Sequence, residues 1–176
     1  MKVRTASIED AQAIARVHVD SWKSTYVNII PQSYLEHLSY EKRENLWQQN
    51  ILNEYVFVAE NDSGEIIGFC SGGKNQNDEY SDFEGALSSI YLIENYQGKG
   101  IGKQLVQTII QCLRNSGMNS MLVFALADNP SKYFYEKLGA SFINSIDIKI
   151  ANRKLIEHVY GWEDLKSSST YFKDLR

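Results

Sequence analysis

The chain has 176 residues, 43% of them hydrophobic and 12% aromatic, with two prolines, which fits one globular domain with a single core and excludes a fibrous or disordered chain. Its 18 basic and 22 acidic side chains leave a net charge of -4, so nothing in the whole-molecule balance favours nucleic acid as a partner. Cys70 and Cys112 lie far apart without metal-ligand spacing, and no apolar run approaches the roughly 20 residues of a membrane span; a soluble cytoplasmic protein with no metal, no disulfide framework and no membrane partner is expected.

The elements are read in chain order. Lys2–Ala6 forms a short edge strand, and Ser7 followed by Asp10 caps a helix whose Ile14, His18, Trp22 and Tyr26 share one face at four-residue spacing. Pro31 breaks that pattern and restarts a helix through "PQSYLEHL", and a polar helix over Glu41–Ile51 is anchored by Leu46 and Trp47. "YVFVAE" and "IIGFCSGG" read as a hairpin around the turn "NDSGE". A polar loop, "KNQNDEYSDFEG", leads into the strand "ALSSIYLI".

That strand runs directly into "YQGKGIGKQL", with glycine at 98, 100 and 102 and lysine at 99 and 103. The following stretch places Ile101, Leu105, Ile109 and Cys112 or Leu113 on one helical face and stops at Gly117. "SMLVFAL" is a further strand, "NPSKYFYEKLG" a short helix, and "INSIDIKI" and "LIEHVYGW" a final strand pair. Strand, glycine turn, helix and strand in succession imply an α/β arrangement with a parallel crossover, and the hairpins make the sheet mixed.

Glycines at the start of a helix expose main-chain N–H groups at the positive end of the helix dipole, an arrangement suited to phosphate, although a tight turn needing glycine dihedrals alone has the same appearance. A Walker A loop requires glycine and a hydroxyl where Gln97 and Gln104 stand. The dinucleotide fingerprint requires two residues between its second and third glycines, whereas only Ile101 separates Gly100 from Gly102. Both motifs fail.

"QGKGIG", Gln97–Gly102, resembles the pyrophosphate signature Gln/Arg-x-x-Gly-x-Gly/Ala of the GNAT superfamily of acetyl-CoA-dependent N-acyltransferases, and "NPSKYFYEKLGA" resembles its second signature. The element order resembles that family over essentially the whole chain. The resemblance implies a single N-acetyltransferase domain over residues 1–176, with acceptor-side helices roughly over 7–51 and an acyl-CoA core roughly over 85–140. It implies a GNAT-like α/β fold: a mixed, mostly antiparallel twisted sheet of about six or seven strands, helices on both faces, and a splay between the fourth and fifth strands that holds acyl-CoA.

Residue by residue, the resemblance assigns the pyrophosphate of coenzyme A to main-chain groups of Gln97, Gly98, Lys99, Gly100, Ile101 and Gly102, with Lys99 and Lys103 adding charge. Tyr91 and Leu92 lie beside the pantetheine arm, which Asn129 bonds, and N–H near Leu92 polarises the thioester carbonyl. Tyr135 is assigned as general acid for the leaving thiolate, with an aromatic core role as its alternative. Many relatives carry a glutamate early in the fourth strand, where this chain has Ala86. Glu84, two residues upstream on the same face of a regular strand, is the candidate base, with His18 and His37 behind it.

Trp22 and Tyr26 fall in the region of the acceptor wall, with core packing as the alternative, and the acidic loop around Asp78, Glu79 and Asp82 suits either a cationic acceptor or solvent. The expected activity is direct acetyl transfer from acetyl-CoA to an amine of a small molecule or peptide. A catalytically silent acyl-CoA-binding sensor is the alternative. The apolar terminal strands would serve equally as a homodimer edge or an internal hairpin.

Overall fold

The computed structural model describes residues 1–167. The expected domain extends to residue 176, so its last residues lie outside those described. Seven strands and five α-helices follow one another as β1 (Lys2–Thr5), α1 (Ala11–Thr25), α2 (Gln32–Glu36), α3 (Tyr40–Asn53), β2 (Tyr55–Glu60), β3 (Ile66–Lys74), β4 (Gly85–Leu92), α4 (Ile101–Asn115), β5 (Met121–Leu126), α5 (Ser131–Lys137), β6 (Ser141–Ile150) and β7 (Arg153–Trp162). The strand order is β1-β2-β3-β4-β5-β7-β6, with β1 at an edge as its short length suggested. Pairing is parallel at β4–β5 and antiparallel at β1–β2, β2–β3, β5–β7 and β6–β7. The chain therefore folds as a mixed α/β protein with a mostly antiparallel open sheet. No helix of the described residues is long and apolar enough to cross a membrane.

Two compact units divide the chain, Met1–Gly72 with Ser89–Ile109, and Gly73–Ser88 with Ile110 onward. In the first, Ile14 and Val17 of α1 pack with Trp47 of α3 and with Val56, Val58 and Phe69 of the β2–β3 hairpin. The helix entry is built as the sequence suggested: the Asp10 carboxylate accepts from the Ser7 N–H at 2.7 Å. The same carboxylate takes two guanidinium bonds from Arg4, at 2.6 and 2.9 Å, so strand and helix entry are tied together. Ser39 caps α3 by accepting from the Lys42 N–H. Trp47 is 1% exposed, but Leu46 is 39% exposed and does not anchor the helix, because α3 buries one narrow stripe and the adjacent position turns away from it.

The second unit is built on β5, flanked by the amino-terminal end of β4 and by β7. Gly85–Leu87 run parallel to Met121–Val123, and Met121–Leu126 run antiparallel to Glu157–Trp162. Tyr80 and Phe83, from the β3–β4 loop, pack on Leu122 and Val159. Gly161 admits the Phe83 ring, since a Cβ there would stand 2.5 Å from it. The β6–β7 hairpin turns through Ala151 and Asn152, both at positive φ. Helix α4 stops as expected at Gly117, where the Met118 and Gly117 N–H groups bond back to Leu113 and Arg114.

Candidate functional site

In the first unit, β4 ends at Leu92 and the chain passes through a short 3₁₀ turn, Glu94–Tyr96, before the glycines. Gly98 and Gly100 have φ of 72° and 82°, left-handed values at which a side chain is strained, and a Cβ on Gly98 would meet nothing within 4 Å. The space beside Gly98 is open rather than filled by packing. The first helical bond of α4 runs from the Gln104 N–H to the Gly100 carbonyl at 3.1 Å. Among the described residues, the main-chain N–H groups of Gly98, Lys99, Gly100, Ile101 and Gly102 make no hydrogen bond. They form a row of donors at the head of a fifteen-residue helix. That donor set fits a pyrophosphate, which accepts through several oxygens and carries negative charge.

The flanks of the row are preorganised. Gln97 is held by its own N–H on the Glu94 carbonyl, and its side-chain amide donates to the Leu92 carbonyl at 3.0 Å, fastening the loop to the end of β4. Lys99 lies over the Tyr96 ring at 5.2 Å, and Tyr96 in turn accepts from Asn61. Tyr91 stacks on His18 with ring centroids 5.0 Å apart. Leu92 approaches Gly68 so closely that a Cβ on that glycine would stand 2.6 Å from it.

Of the two acceptor-wall residues, Tyr26 is buried, and Trp22 is partly buried with its ring 4.9 Å from Tyr26. The Arg43 guanidinium lies over the Trp22 ring at 5.5 Å, and the buried Trp22 Nε1 has no hydrogen-bond partner among the described residues. His18 is enclosed by aromatic rings, and desolvation, with the Arg43 charge behind it, pushes its pKa down to about 3. It is a neutral core histidine near pH 7. His37 is exposed and its Nδ1 bonds the Ser33 carbonyl at 2.6 Å.

In the second unit, the buried Asn129 uses its Oδ1 to accept from the Ser131 N–H at the start of α5, leaving its Nδ2 as a donor. Tyr135 is buried against Phe134, Tyr160 and Trp162, with ring centroids at 5.4, 6.4 and 6.3 Å. Glu84 departs from its expected setting. The strand begins at Gly85, the side chain is exposed, and its carboxylate accepts from the Asn119 N–H while its own N–H donates to Ser120. It ties the start of β4 to the start of β5. Sequence reasoning also passed over Glu157, a half-buried carboxylate on β7 whose pKa burial pushes up; its one sequence signal is an acidic residue within the apolar run "LIEHVYGW".

Residues 18–140 match the model of the Acetyltransferase (GNAT) family, and the chain belongs to that family. It is 38% identical over 168 residues, 96% of each chain, to the uncharacterized N-acetyltransferase YuaI of Bacillus subtilis (strain 168). It is 27% identical over 149 residues, 79% of this chain and 87% of the relative, to spermidine N(1)-acetyltransferase of Thermoplasma acidophilum. Its fold matches that of yncA from Salmonella typhimurium, solved with its cofactor acetyl-CoA, with a TM-score of 0.71 at 21% identity over 94% of both chains. As a member of that family the chain is an acetyl-CoA-dependent acyltransferase.

Proposed function

We propose that the protein transfers the acetyl group of acetyl-CoA directly to an amine of a small molecule or peptide, with no covalent enzyme intermediate. The observation that carries this reading is the row of unengaged N–H groups from Gly98 to Gly102, opened by two glycines in the left-handed region. Those groups and the α4 dipole hold the pyrophosphate, with Lys99 and Lys103 supplying charge. In the first unit the end of β4 at Tyr91 and Leu92 is assigned to the pantetheine arm, and in the second the Nδ2 of Asn129 is a donor for it. When bound, acetyl-CoA supplies an activated thioester carbonyl. The chain contributes orientation of the amine, polarisation of that carbonyl by main-chain N–H near Leu92, and a proton for the departing sulfur, assigned to the Tyr135 hydroxyl. Trp22 and Tyr26 form the apolar side of the acceptor wall. The spermidine acetyltransferase relative supports a primary amine as the acceptor.

The test is calorimetric titration of acetyl-CoA into the wild type and into Gly100→Asp, which sets a carboxylate against the pyrophosphate. Binding by the wild type, lost in a variant with an unchanged circular dichroism spectrum, is the expected result. A wild type that does not bind acetyl-CoA sinks the reading, and binding without transfer to any amine of a broad panel favours the silent sensor.

A further inference from the structure

Transfer to an amine requires a group that removes a proton from the acceptor ammonium, and Glu84 is occupied by the Asn119 N–H. Glu157 is differently placed. It lies opposite Leu126 of β5 and Ile146 of β6, and residues paired in this way share one face of the sheet. Leu155 and Val159, two positions away along β7, are on the same face and buried. By the same register that face also carries Phe124, Leu122 and Ala86. Its strand neighbours on that face are therefore apolar side chains.

No hydrogen bond or ion pair engages the Glu157 side chain among the described residues. The titratable groups near it face elsewhere or stand apart from it. Lys154, His158 and, on β6, Asp147 and Lys149 point to the opposite face by register, and Arg153 stands at the far end by the hairpin turn. The Lys132 ammonium is fixed on the Ala127 carbonyl at 2.7 Å, and Asp128 is exposed. A half-buried carboxylate with no partner destabilises the fold that holds it, so packing does not account for it.

Its position does. Leu126 is the last residue of β5, and the Ala127 N–H donates to the Ile156 carbonyl at 2.9 Å, which pins the chain leaving β5 against the residue preceding Glu157. The Asn129 N–H then bonds back to Leu126 at 2.9 Å. Glu157 thus stands at the corner where the sheet delivers Asn129, the residue assigned to the cosubstrate arm.

We infer that Glu157 is the general base of the transfer, taking the proton of an acceptor that arrives as a primary ammonium. This rests on the acetyl-transfer reading above. Glu157 accepts one ammonium proton and passes it to solvent. The freed nitrogen lone pair forms the N–C bond as the C–S bond breaks, the nitrogen sheds a second proton, and the leaving thiolate takes one up. One proton is released per amide formed.

The test compares wild type with the isosteric Glu157→Gln. Without any ligand, the variant unfolds at a higher temperature than wild type at about pH 8, and the gap closes below about pH 4, where the carboxyl is protonated in both folded and unfolded chains. With acetyl-CoA, the variant binds with unchanged Kd, loses about 100-fold in kcat/KM toward spermidine and loses the acid limb of its pH profile. Hydroxylamine, whose nitrogen is already neutral at pH 7, is acetylated at the wild-type rate. Equal stability of the two proteins at pH 8, or a wild-type rate and acid limb in the variant, overturns the assignment. A wild type that binds no acetyl-CoA overturns the transfer and the base together, yet leaves the stability gap in place, so the two failures are distinct.

Discussion

The indole N–H of Trp47 donates to Nδ1 of His18 at 3.0 Å inside the first unit. Indole is a donor only, so the neutral imidazole carries its proton on Nε2, and the remaining ring nitrogen cannot accept one. This removes His18 as a base. His37 is set apart in a different way: it is exposed at the end of a short helix, with its Nδ1 on the Ser33 carbonyl. The contact makes His18 a structural link between α1, α3 and β4, where it stacks on Tyr91.

The pH dependence of stability reports this link. His18 is held at a pKa of about 3, below its ordinary 6.5, so between those values the unfolded chain binds the extra proton. Stability falls as pH drops below about 6.5, by up to about 1.4 kcal/mol per pH unit from this one group. His18→Gln, whose side-chain oxygen accepts from Trp47, flattens that part of the profile. Denaturant unfolding of both proteins at pH 7 and pH 5 checks it, and parallel losses would contradict the buried neutral imidazole.

Asp10 acts over a lower range. Arg4 first of all, with the Ser7 N–H, holds its carboxyl below the usual carboxylate range, so its contribution is complete above about pH 4 and fades as pH falls through the depressed value. Asp10→Ala leaves Arg4 with Glu60 alone and uncaps the helix entry, and it costs about 2–3 kcal/mol at pH 7. Urea midpoints of wild type and variant measure this, with the difference shrinking toward pH 2.

Gly68→Ala joins stability to binding. The new Cβ falls 2.6 Å from Leu92 Cδ1 and 3.1 Å from the Tyr91 carbonyl, so the end of β4 must move. Overpacking of this kind costs about 1–3 kcal/mol. Because the Leu92 carbonyl holds the Gln97 amide, the shift reaches the glycine loop, and acetyl-CoA binding weakens several-fold by calorimetry. A destabilised variant with wild-type affinity would separate the two effects.

Much of the fold was legible because local signals agreed. The apolar run "YVFVAE", the helix entry at Ser7 and Asp10, the 3.6-residue period of α4 and the stop at Gly117 each depend on near neighbours in the chain, and all recur in the structure. Leu46 misled because, on a polar helix, one apolar side chain does not say which stripe is buried. The role of Glu84 was out of reach, since it depends on where β4 begins and on the Asn119 N–H, brought to it from across a parallel crossover.

By itself the sequence determined the family, the element order and the helix-entry glycines, because these rest on near neighbours in the chain and on dihedrals that only glycine adopts readily. Only the tertiary structure decided which carboxylate is occupied and which stands unpartnered among the described residues, and which histidine is sealed among aromatic rings. Those properties come from desolvation and from neighbours distant in sequence: packing of α3 on α1 brings Trp47 to His18, and strand register sets Leu126 and Ile146 beside Glu157.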